Sequence, residues 1–265
     1  MKYTTLLSSI GIVCLAIAVL WWLPAELSLF INLPGLFLVI GGTLIATCVS
    51  RRRKHVISVL RQLPQLFRRR QSALNQQVEQ FLGVAEVYRH GRIRLAEDLA
   101  GHIGDPFAES AVGMVLDRVE NNEIGKILQW RINAIYATEQ AKIQVVKTMA
   151  TFAPAFGMLG TLIALVHMLY RLDGADLSHI GQSMAFAMIT TLYGIVLANL
   201  ICRPLAIKME QALQQKLVVL NMWVEGISGL MARRHPVMIK ETMDAFLMQN
   251  EQFEAEPALL AVAGH

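Results

Sequence analysis

Residues 150–170 read ATFAPAFGMLGTLIALVHMLY and contain no Asp, Glu, Lys or Arg. A helix of this length covers about 30 Å, which is the thickness of the hydrocarbon core of a bilayer. Three further stretches lack those four residue types, at Thr4–Leu23, Leu27–Val49 and Gly181–Cys202, and each of the four stretches is 20 to 23 residues long. We therefore predict an all-α protein that crosses a membrane four times.

The composition agrees with a membrane protein that also has a polar part. The 265 residues are 54% hydrophobic and 17% charged. The three cysteines all fall inside the apolar stretches, without a metal-binding spacing, so we interpret them as small apolar residues. The net charge of +4 is not arranged as a nucleic-acid face, and we predict no nucleic-acid partner. No nucleophile motif, metal cluster or phosphate loop is present, so we predict neither an enzyme nor a bound cofactor.

The first apolar stretch has an alternative interpretation as a signal peptide. Lys2 precedes it and Leu23-Pro24-Ala25 follows, as at a cleavage site. The stretch is longer than the apolar region of a usual signal peptide, and the next span starts after only three residues. We therefore expect a retained transmembrane hairpin.

Basic residues determine the predicted orientation. They flank the ends of the spans at Arg51, Arg52, Arg53, Lys54, Arg61, Arg68, Arg69, Arg70, Lys142, Lys147, Arg203 and Lys208. The positive-inside rule then places both termini and the long loop of this multi-pass membrane protein in the cytoplasm. The predicted parts are a hairpin (1–50), a helical cytoplasmic domain (51–147), a second hairpin (148–204), and a cytoplasmic helix with a disordered tail (205–265).

Helix signals occur in both cytoplasmic parts. Asp105-Pro106 predicts a helix start, with Pro at the first helical position. Another helix is predicted from Asn122, and nothing breaks it before Pro154, so it should run into the third span. After Pro204, apolar residues recur three or four apart at Met209, Leu213, Leu217, Leu220, Val224, Ile227 and Met231. This amphipathic helix is predicted to pack against the cytoplasmic extension of the third span.

The third and fourth spans carry residues that are unusual in a plain lipid anchor. Pro154 removes a backbone donor and leaves a carbonyl of the preceding turn free, which predicts a kink facing protein or water. Thr161 lies near the middle of the third span, and Thr190 and Thr191 near the middle of the fourth. Their hydroxyls could line a narrow polar path at one depth. Close helix packing through small residues is the alternative explanation.

An ion path through these spans lacks an acidic group. Proton and sodium paths usually contain a carboxylate in the membrane, and the four spans have none. His167 is a titratable group near the outer end of the third span, and it is either an interfacial polar residue or a relay member. The ion-carrying acid must therefore come from another chain, or the chain forms no ion path.

Short motifs in the right order then give a family resemblance. They are Ala153-Pro154, Gly160-Thr161-Leu162, Thr190-Thr191-Leu192-Tyr193-Gly194, Leu197-Ala198-Asn199, Pro204, Gly41-Gly42-Thr43, Asp105-Pro106-Phe107, Gly226-Ile227, His235-Pro236 and Ala245-Phe246-Leu247. Together they resemble the MotA/PomA stator proteins of the flagellar motor, within the wider MotA/TolQ/ExbB group. The four-span layout selects MotA/PomA over the three-span members.

The resemblance implies an ion-conducting stator subunit that uses proton or sodium flow to turn the rotor. It implies a homo-oligomeric ring in the membrane lipid, around a single-span MotB/PomB-like partner that supplies an aspartate. Pro154 and Pro204 match the functional prolines of the family, and Thr161 and Thr191 match the polar positions that face the partner's acid. A non-flagellar channel subunit of the TolQ/ExbB type and a purely structural scaffold are the competing functions.

The resemblance also implies a contact with the rotor's switch complex. Arg89 and Glu97 are the counterparts of charged loop residues that touch the rotor in the family, although the spacing on either side of Gly91 differs by one residue. A solvated helix surface is the alternative for both. Asn32 stands where some sodium-type members carry Asp, so the choice between proton and sodium stays open.

Overall fold

The part of the chain that the structure describes is almost entirely helical. The computed structural model describes residues 32–62, 74–170 and 177–246, and these ranges contain no β-strand. The helices before the third span are α1 (Leu33–Ser50), α2 (Arg53–Gln62), α3 (Leu74–Arg89), α4 (Ile93–Ala100) and α5 (Pro106–Leu116). The prediction of an all-α protein is confirmed for these residues.

Two much longer helical segments follow. The helix α6 (Asn121–Tyr170) is continuous over 50 residues and passes through Pro154. The helix α7 (Leu177–Val196) continues through a π-helical turn (Leu197–Cys202) into α8 (Arg203–Met231). A last helix, α9, covers residues 236–246. The predicted continuity of the loop helix with the third span is confirmed, whereas our sequence analysis predicted neither the π turn nor α9.

Three helices within the described ranges are long and apolar enough to cross a membrane, Leu33–Ser50, Asn121–Tyr170 and Ile180–Met231. They contain the predicted third and fourth spans and the described part of the second. The predicted first span, residues 27–31 and the predicted disordered tail lie outside the described residues. Large apolar side chains on these helices are exposed in the single chain, such as Phe37 at 75% and Leu200 at 67%. Such surfaces need lipid or another chain around them.

The chain divides into two compact units. One unit comprises Met1–Leu66 and Gln140–Glu210, and the other comprises Phe67–Glu139 and Gln211–His265. The first unit contains the described membrane-spanning segments and α2. The second contains α3, α4, α5 and α9, together with the first part of α6 and most of α8.

The second unit has an apolar core of its own. Phe81 of α3 and Trp223 of α8 are both fully buried, and their rings meet edge to face with centroids 5.5 Å apart. Ile124 and Leu128 of α6 lie in the same cluster. Apolar residues of α6 and α8 thus share one core, which confirms the predicted packing of these two helices.

The start of α5 follows the predicted capping signal. The Asp105 side chain accepts hydrogen bonds from the backbone N–H groups of Phe107 at 2.8 Å and Ala108 at 3.2 Å. Pro106 occupies the first turn, where its missing N–H is not needed. Gly104 precedes the cap with a φ of +70°, a conformation that glycine adopts without strain.

Candidate functional site

Glycines allow α6 and α7 to approach each other closely. A β-carbon built on Gly194 would lie 2.7 Å from the carbonyl oxygen of Ala153 and 3.2 Å from the Cα atoms of Gly157 and Pro154. A β-carbon on Gly157 would lie 3.0 Å from the carbonyl oxygen of Thr190. The two backbones therefore touch directly, as expected where small residues line a helix interface in a membrane.

Thr190 lies inside this contact. It is fully buried, and its hydroxyl donates a hydrogen bond of 2.9 Å to the Ala187 carbonyl of its own helix. A β-carbon built on Gly160 would lie 2.6 Å from the Cβ and Oγ1 atoms of Thr190, and one built on Gly35 of α1 would lie 3.0 Å from its methyl group. Thr190 of α7 therefore packs against both α1 and α6.

Thr161 and Thr191 lie at the same level but are more accessible. Both are half-buried, whereas Thr190 is enclosed. The Thr161 hydroxyl donates a 2.6 Å hydrogen bond to the Met158 carbonyl, which leaves the lone pairs of its oxygen free to accept. Since Thr161 follows Gly160, which contacts Thr190, the three threonines occupy one level of the helix pair. Their role in an ion path stays a prediction.

Pro154 lies where α6 and α7 are closest. Its Cα atom is among the atoms nearest to Gly194, and the preceding residue, Ala153, is fully buried. As a proline it donates no hydrogen bond, so the carbonyl one turn earlier, on Ala150, lacks its usual partner in the helix. The structure therefore places an irregular point of α6 directly against α7, just before the level of the three threonines.

Pro204 lies next to the π turn. The N–H of Arg203 donates a hydrogen bond to the carbonyl of Ala198, five residues earlier. The helix α8 begins at Arg203, so Pro204 is its second residue. A π turn inserts one extra residue into a helix, and such turns often occur at functional sites. The turn was not predicted from the sequence, although Pro204 signals an interruption of the helical hydrogen bonds.

Asn32 has a structural role that our sequence analysis missed. Its side chain accepts a hydrogen bond of 3.0 Å from the Gly35 N–H and so caps α1, whose first turn contains Pro34. Its own N–H donates to the Tyr193 hydroxyl at 2.9 Å. The signal was present in the sequence, because Asn before a proline-containing first turn is typical of a helix start. Asn32 thereby links the start of α1 to α7.

His167 lies on the exposed side of α6. Its neighbours on this surface, Leu162, Ile163, Val166 and Tyr170, are exposed apolar or aromatic residues of the same helix. An exposed imidazole surrounded by such residues is typical of an interface with lipid or another chain. None of these four neighbours carries a carboxylate or a second imidazole that could relay a proton with His167.

The two predicted rotor-contact residues lie on one helical hairpin. Arg89 is the last residue of α3, Glu97 lies in α4, and the turn between them contains Gly91 with a φ of +76°. Both side chains are exposed, and neither forms an ion pair with a described residue. The neighbouring His90 contacts Glu86 at 2.8 Å. The hairpin thus presents two charges that the described chain leaves available to a partner.

The described parts of the predicted spans contain no carboxylate or ammonium group. Within the described ranges there is also no cluster of His, Cys, Asp and Glu that could hold a metal ion. The arrangement therefore offers hydroxyl and carbonyl oxygens along a close helix pair.

Comparisons with known proteins agree with these features. The sequence profile of the MotA/TolQ/ExbB proton channel family matches residues 100–222. Motility protein A of Aquifex aeolicus is 30% identical over 82% of this chain and 85% of its own length. The structure of C. jejuni MotAB is similar with a TM-score of 0.80 at 17% identity, covering 93% of this chain and 96% of that one. The flagellar MotAB stator complex from Bacillus subtilis gives a TM-score of 0.77 at 21% identity, covering 92% and 97%.

Proposed function

Since the chain belongs to the MotA/TolQ/ExbB proton channel family, we propose that it is an ion-conducting stator subunit of the bacterial flagellar motor. It couples proton or sodium flow to torque on the rotor. The observation that carries this proposal is the close α6–α7 pair, with three threonines at one level and no carboxylate in the described spans. A path that has hydroxyl groups but no acid needs a second chain to supply the carboxylate.

The second chain of the channel is a single-span partner of the MotB/PomB type that supplies an aspartate. Copies of this chain form a ring around that partner. Two features support this assembly: the exposed apolar surfaces of α6 and α7, with Met158 at 58% and Met188 at 68% exposed, and the lack of a carboxylate in the described parts of the spans. An apolar helix surface can be covered by a neighbouring subunit or a partner helix as well as by lipid.

The ion path follows Pro154, Thr161, Thr191 and Pro204, with Thr190 behind it as the residue that sets the helix spacing. A charged aspartate of the partner is attracted to the hydroxyl groups at this level, and ion loading makes it neutral. A neutral carboxyl group moves past apolar side chains at a much lower desolvation cost than a carboxylate. Each elementary charge that crosses the membrane releases about 2.3 kcal/mol per 100 mV, so repeated loading can bias rotation of the ring.

The protein is a multi-pass protein of the inner membrane with both termini in the cytoplasm. The parts are the hairpin of residues 1–50, the cytoplasmic domain of 51–147, the ion-path hairpin of 148–204 and the cytoplasmic tail of 205–265. The basic residues that follow the second span and flank the third and fourth support this orientation. The cytoplasmic domain then carries Arg89 and Glu97 towards the switch complex of the rotor.

The proposal predicts that this chain conducts ions only together with its partner. In vesicles with an imposed proton or sodium gradient, the co-expressed pair should give an ion flux, and this chain alone should give none, because its spans lack an acid. The matched control is the pair in which the partner's aspartate is replaced by asparagine, which should not conduct. An equal flux from this chain alone would refute the proposed mechanism.

The complex of this chain with its partner also distinguishes the stator function from that of a non-flagellar channel. Complementation of a strain that lacks this gene should restore swimming, and its dependence on external sodium identifies the ion. Conduction without restored swimming would favour the TolQ/ExbB-type function, and no conduction from the pair would favour a structural scaffold.

Charge reversal at the α3–α4 hairpin should uncouple rotation from ion flow. Arg89→Glu and Glu97→Lys are each expected to reduce swimming speed severalfold through repulsion at the rotor contact, while the ion flux of the pair stays normal. Lys126→Glu and Glu241→Lys are the matched controls, because both residues are exposed in the same unit and neither lies on the hairpin. Normal swimming in both hairpin variants would show that these charges are only a solvated surface.

A further inference from the structure

The segment after α1 is strongly basic. Between Ser50 and Glu79 the sequence contains eight Lys and Arg residues and no Asp or Glu. The basic residues are Arg51, Arg52, Arg53, Lys54, Arg61, Arg68, Arg69 and Arg70. This is one third of the 24 Lys and Arg residues of the chain, within about a tenth of its length. Orientation of a span needs only a small excess of basic residues, so a cluster of this size indicates a further role.

The structure places the start of this segment at the end of a membrane-spanning helix. The helix α1 ends at Ser50, Arg51 is extended, and α2 begins at Arg53. The Nε atom of Arg51 donates a hydrogen bond of 3.2 Å to the Thr148 hydroxyl of α6, just before the third span. The four consecutive basic residues 51–54 are therefore held at the level where two spans leave the hydrocarbon core.

The helix α2 is amphipathic and is packed on one side. Val56 and Val59 are 2% and 3% exposed, so this side of the helix is buried. Arg53, Lys54 and Ile57 are exposed, and Ile57 is 52% exposed. An exposed isoleucine among basic residues, beside a membrane span, is typical of a helix that lies in the membrane interface.

The described chain supplies no anion for these charges. The side chains of Arg52, Arg53 and Lys54 make no hydrogen bond or ion pair with a described residue. Like charges on adjacent residues repel each other unless an anion lies between them. The phosphodiester groups of lipids are anions that are present at this level, and a guanidinium group can bind a phosphate in a bidentate manner.

We propose that residues 51–54 and the exposed side of α2 bind the headgroups of anionic phospholipids. The basic residues contact the phosphate groups and Ile57 inserts beside the acyl chains. The surface thereby fixes the end of α1 at a defined height relative to the bilayer. This proposal goes beyond the stator function and does not depend on ion conduction, because it concerns only the lipid around the chain.

The test measures lipid binding to the full chain co-purified with its partner. Native mass spectrometry with added phosphatidylglycerol or phosphatidylcholine gives the two binding constants. Each basic residue near a lipid surface should raise the constant for the anionic lipid about fivefold, so Arg52→Gln/Arg53→Gln should weaken phosphatidylglycerol binding roughly 25-fold. Binding of phosphatidylcholine should not change.

Two variants make the outcome specific. Arg52→Lys/Arg53→Lys keeps the charge and should keep most of the preference for phosphatidylglycerol. Lys126→Gln/Arg234→Gln removes two exposed charges from the other unit and should have no effect. Equal affinity of the unsubstituted complex for both lipids would overturn the proposal. An unchanged preference for phosphatidylglycerol in Arg52→Gln/Arg53→Gln would also overturn it. If this variant lost the partner chain instead of the lipid, the surface would be a protein-binding surface and the proposal would be wrong.

Discussion

Replacing Pro154 with alanine should stop flagellar rotation without unfolding the protein. Alanine restores the backbone N–H at this position, which can then donate to the carbonyl of Ala150 and close a regular helical turn. Proline inside a helix costs about 3 kcal/mol relative to alanine, so the variant should be at least as stable as the unsubstituted chain. The proline therefore persists at a cost in helix stability, as expected of a residue retained for function.

The effect on function should be large because of where Pro154 lies. Its Cα atom would lie 3.2 Å from a β-carbon built on Gly194, and it precedes the level of the three threonines. A regular helical turn at residue 154 would change how α6 packs against α7, and so would move Thr161 from its present position relative to α7. Since an ion site depends on oxygen atoms placed within a few tenths of an ångström, we expect the ion flux to fall at least tenfold.

The measurements are swimming speed, ion flux in vesicles, and recovery of the complex with its partner. Pro154→Ala should give no swimming and normal recovery. The matched control is Pro236→Ala, because Pro236 begins α9, where a missing N–H is not needed. This control should swim normally. Normal swimming speed in the Pro154→Ala strain would contradict the proposed role of the kink.

Several parts of the fold could be predicted because their signals are local. Apolar length identifies the spans, and Asp105-Pro106 identifies the start of α5. The amphipathic pattern of α8 was predicted less well. Leu220 and Ile227 are buried as predicted, but Trp223 is fully buried and its predicted neighbour Val224 only partly. The spacing of apolar residues locates the buried face of α8 only to within one residue. The packing of Trp223 against Phe81 determines which residues this face contains.

The sequence does not predict which residues of a span face protein and which face lipid. A membrane helix is apolar on all sides, so its pattern does not reveal which side packs against protein. Thr190 and Thr191 are adjacent in sequence, yet Thr190 is fully buried and Thr191 half-buried. The π turn is missed for a related reason, because periodicity arguments assume 3.6 residues per turn throughout. The packing of Thr190 against Gly160 and Gly35 decides which of the two threonines is buried.

This packing leads to the largest expected effect on stability, at Gly194. The Cβ atom of Gly194→Ala would lie 2.7 Å from the Ala153 carbonyl oxygen and 3.2 Å from two Cα atoms of α6. These are backbone atoms, which cannot rotate away as a side chain can, so the helices must move apart. Overpacking of this kind costs about 1 to 3 kcal/mol. The separation would also loosen Thr190 from Gly160, and we expect the ion flux to fall as well.

Gly181→Ala is the matched control for Gly194→Ala, because both glycines lie in α7 and no described neighbour lies within 4 Å of a β-carbon at Gly181. Alanine is a better helix former than glycine by about 1 kcal/mol, so this variant should melt at the same or a higher temperature than the unsubstituted chain. Thermal melting of the complex in detergent should therefore give a lower melting temperature for Gly194→Ala and an unchanged or higher one for Gly181→Ala. A melting temperature of Gly194→Ala at or above that of Gly181→Ala would show that α6 and α7 are not in backbone contact. It would also remove the basis for placing the three threonines at one level.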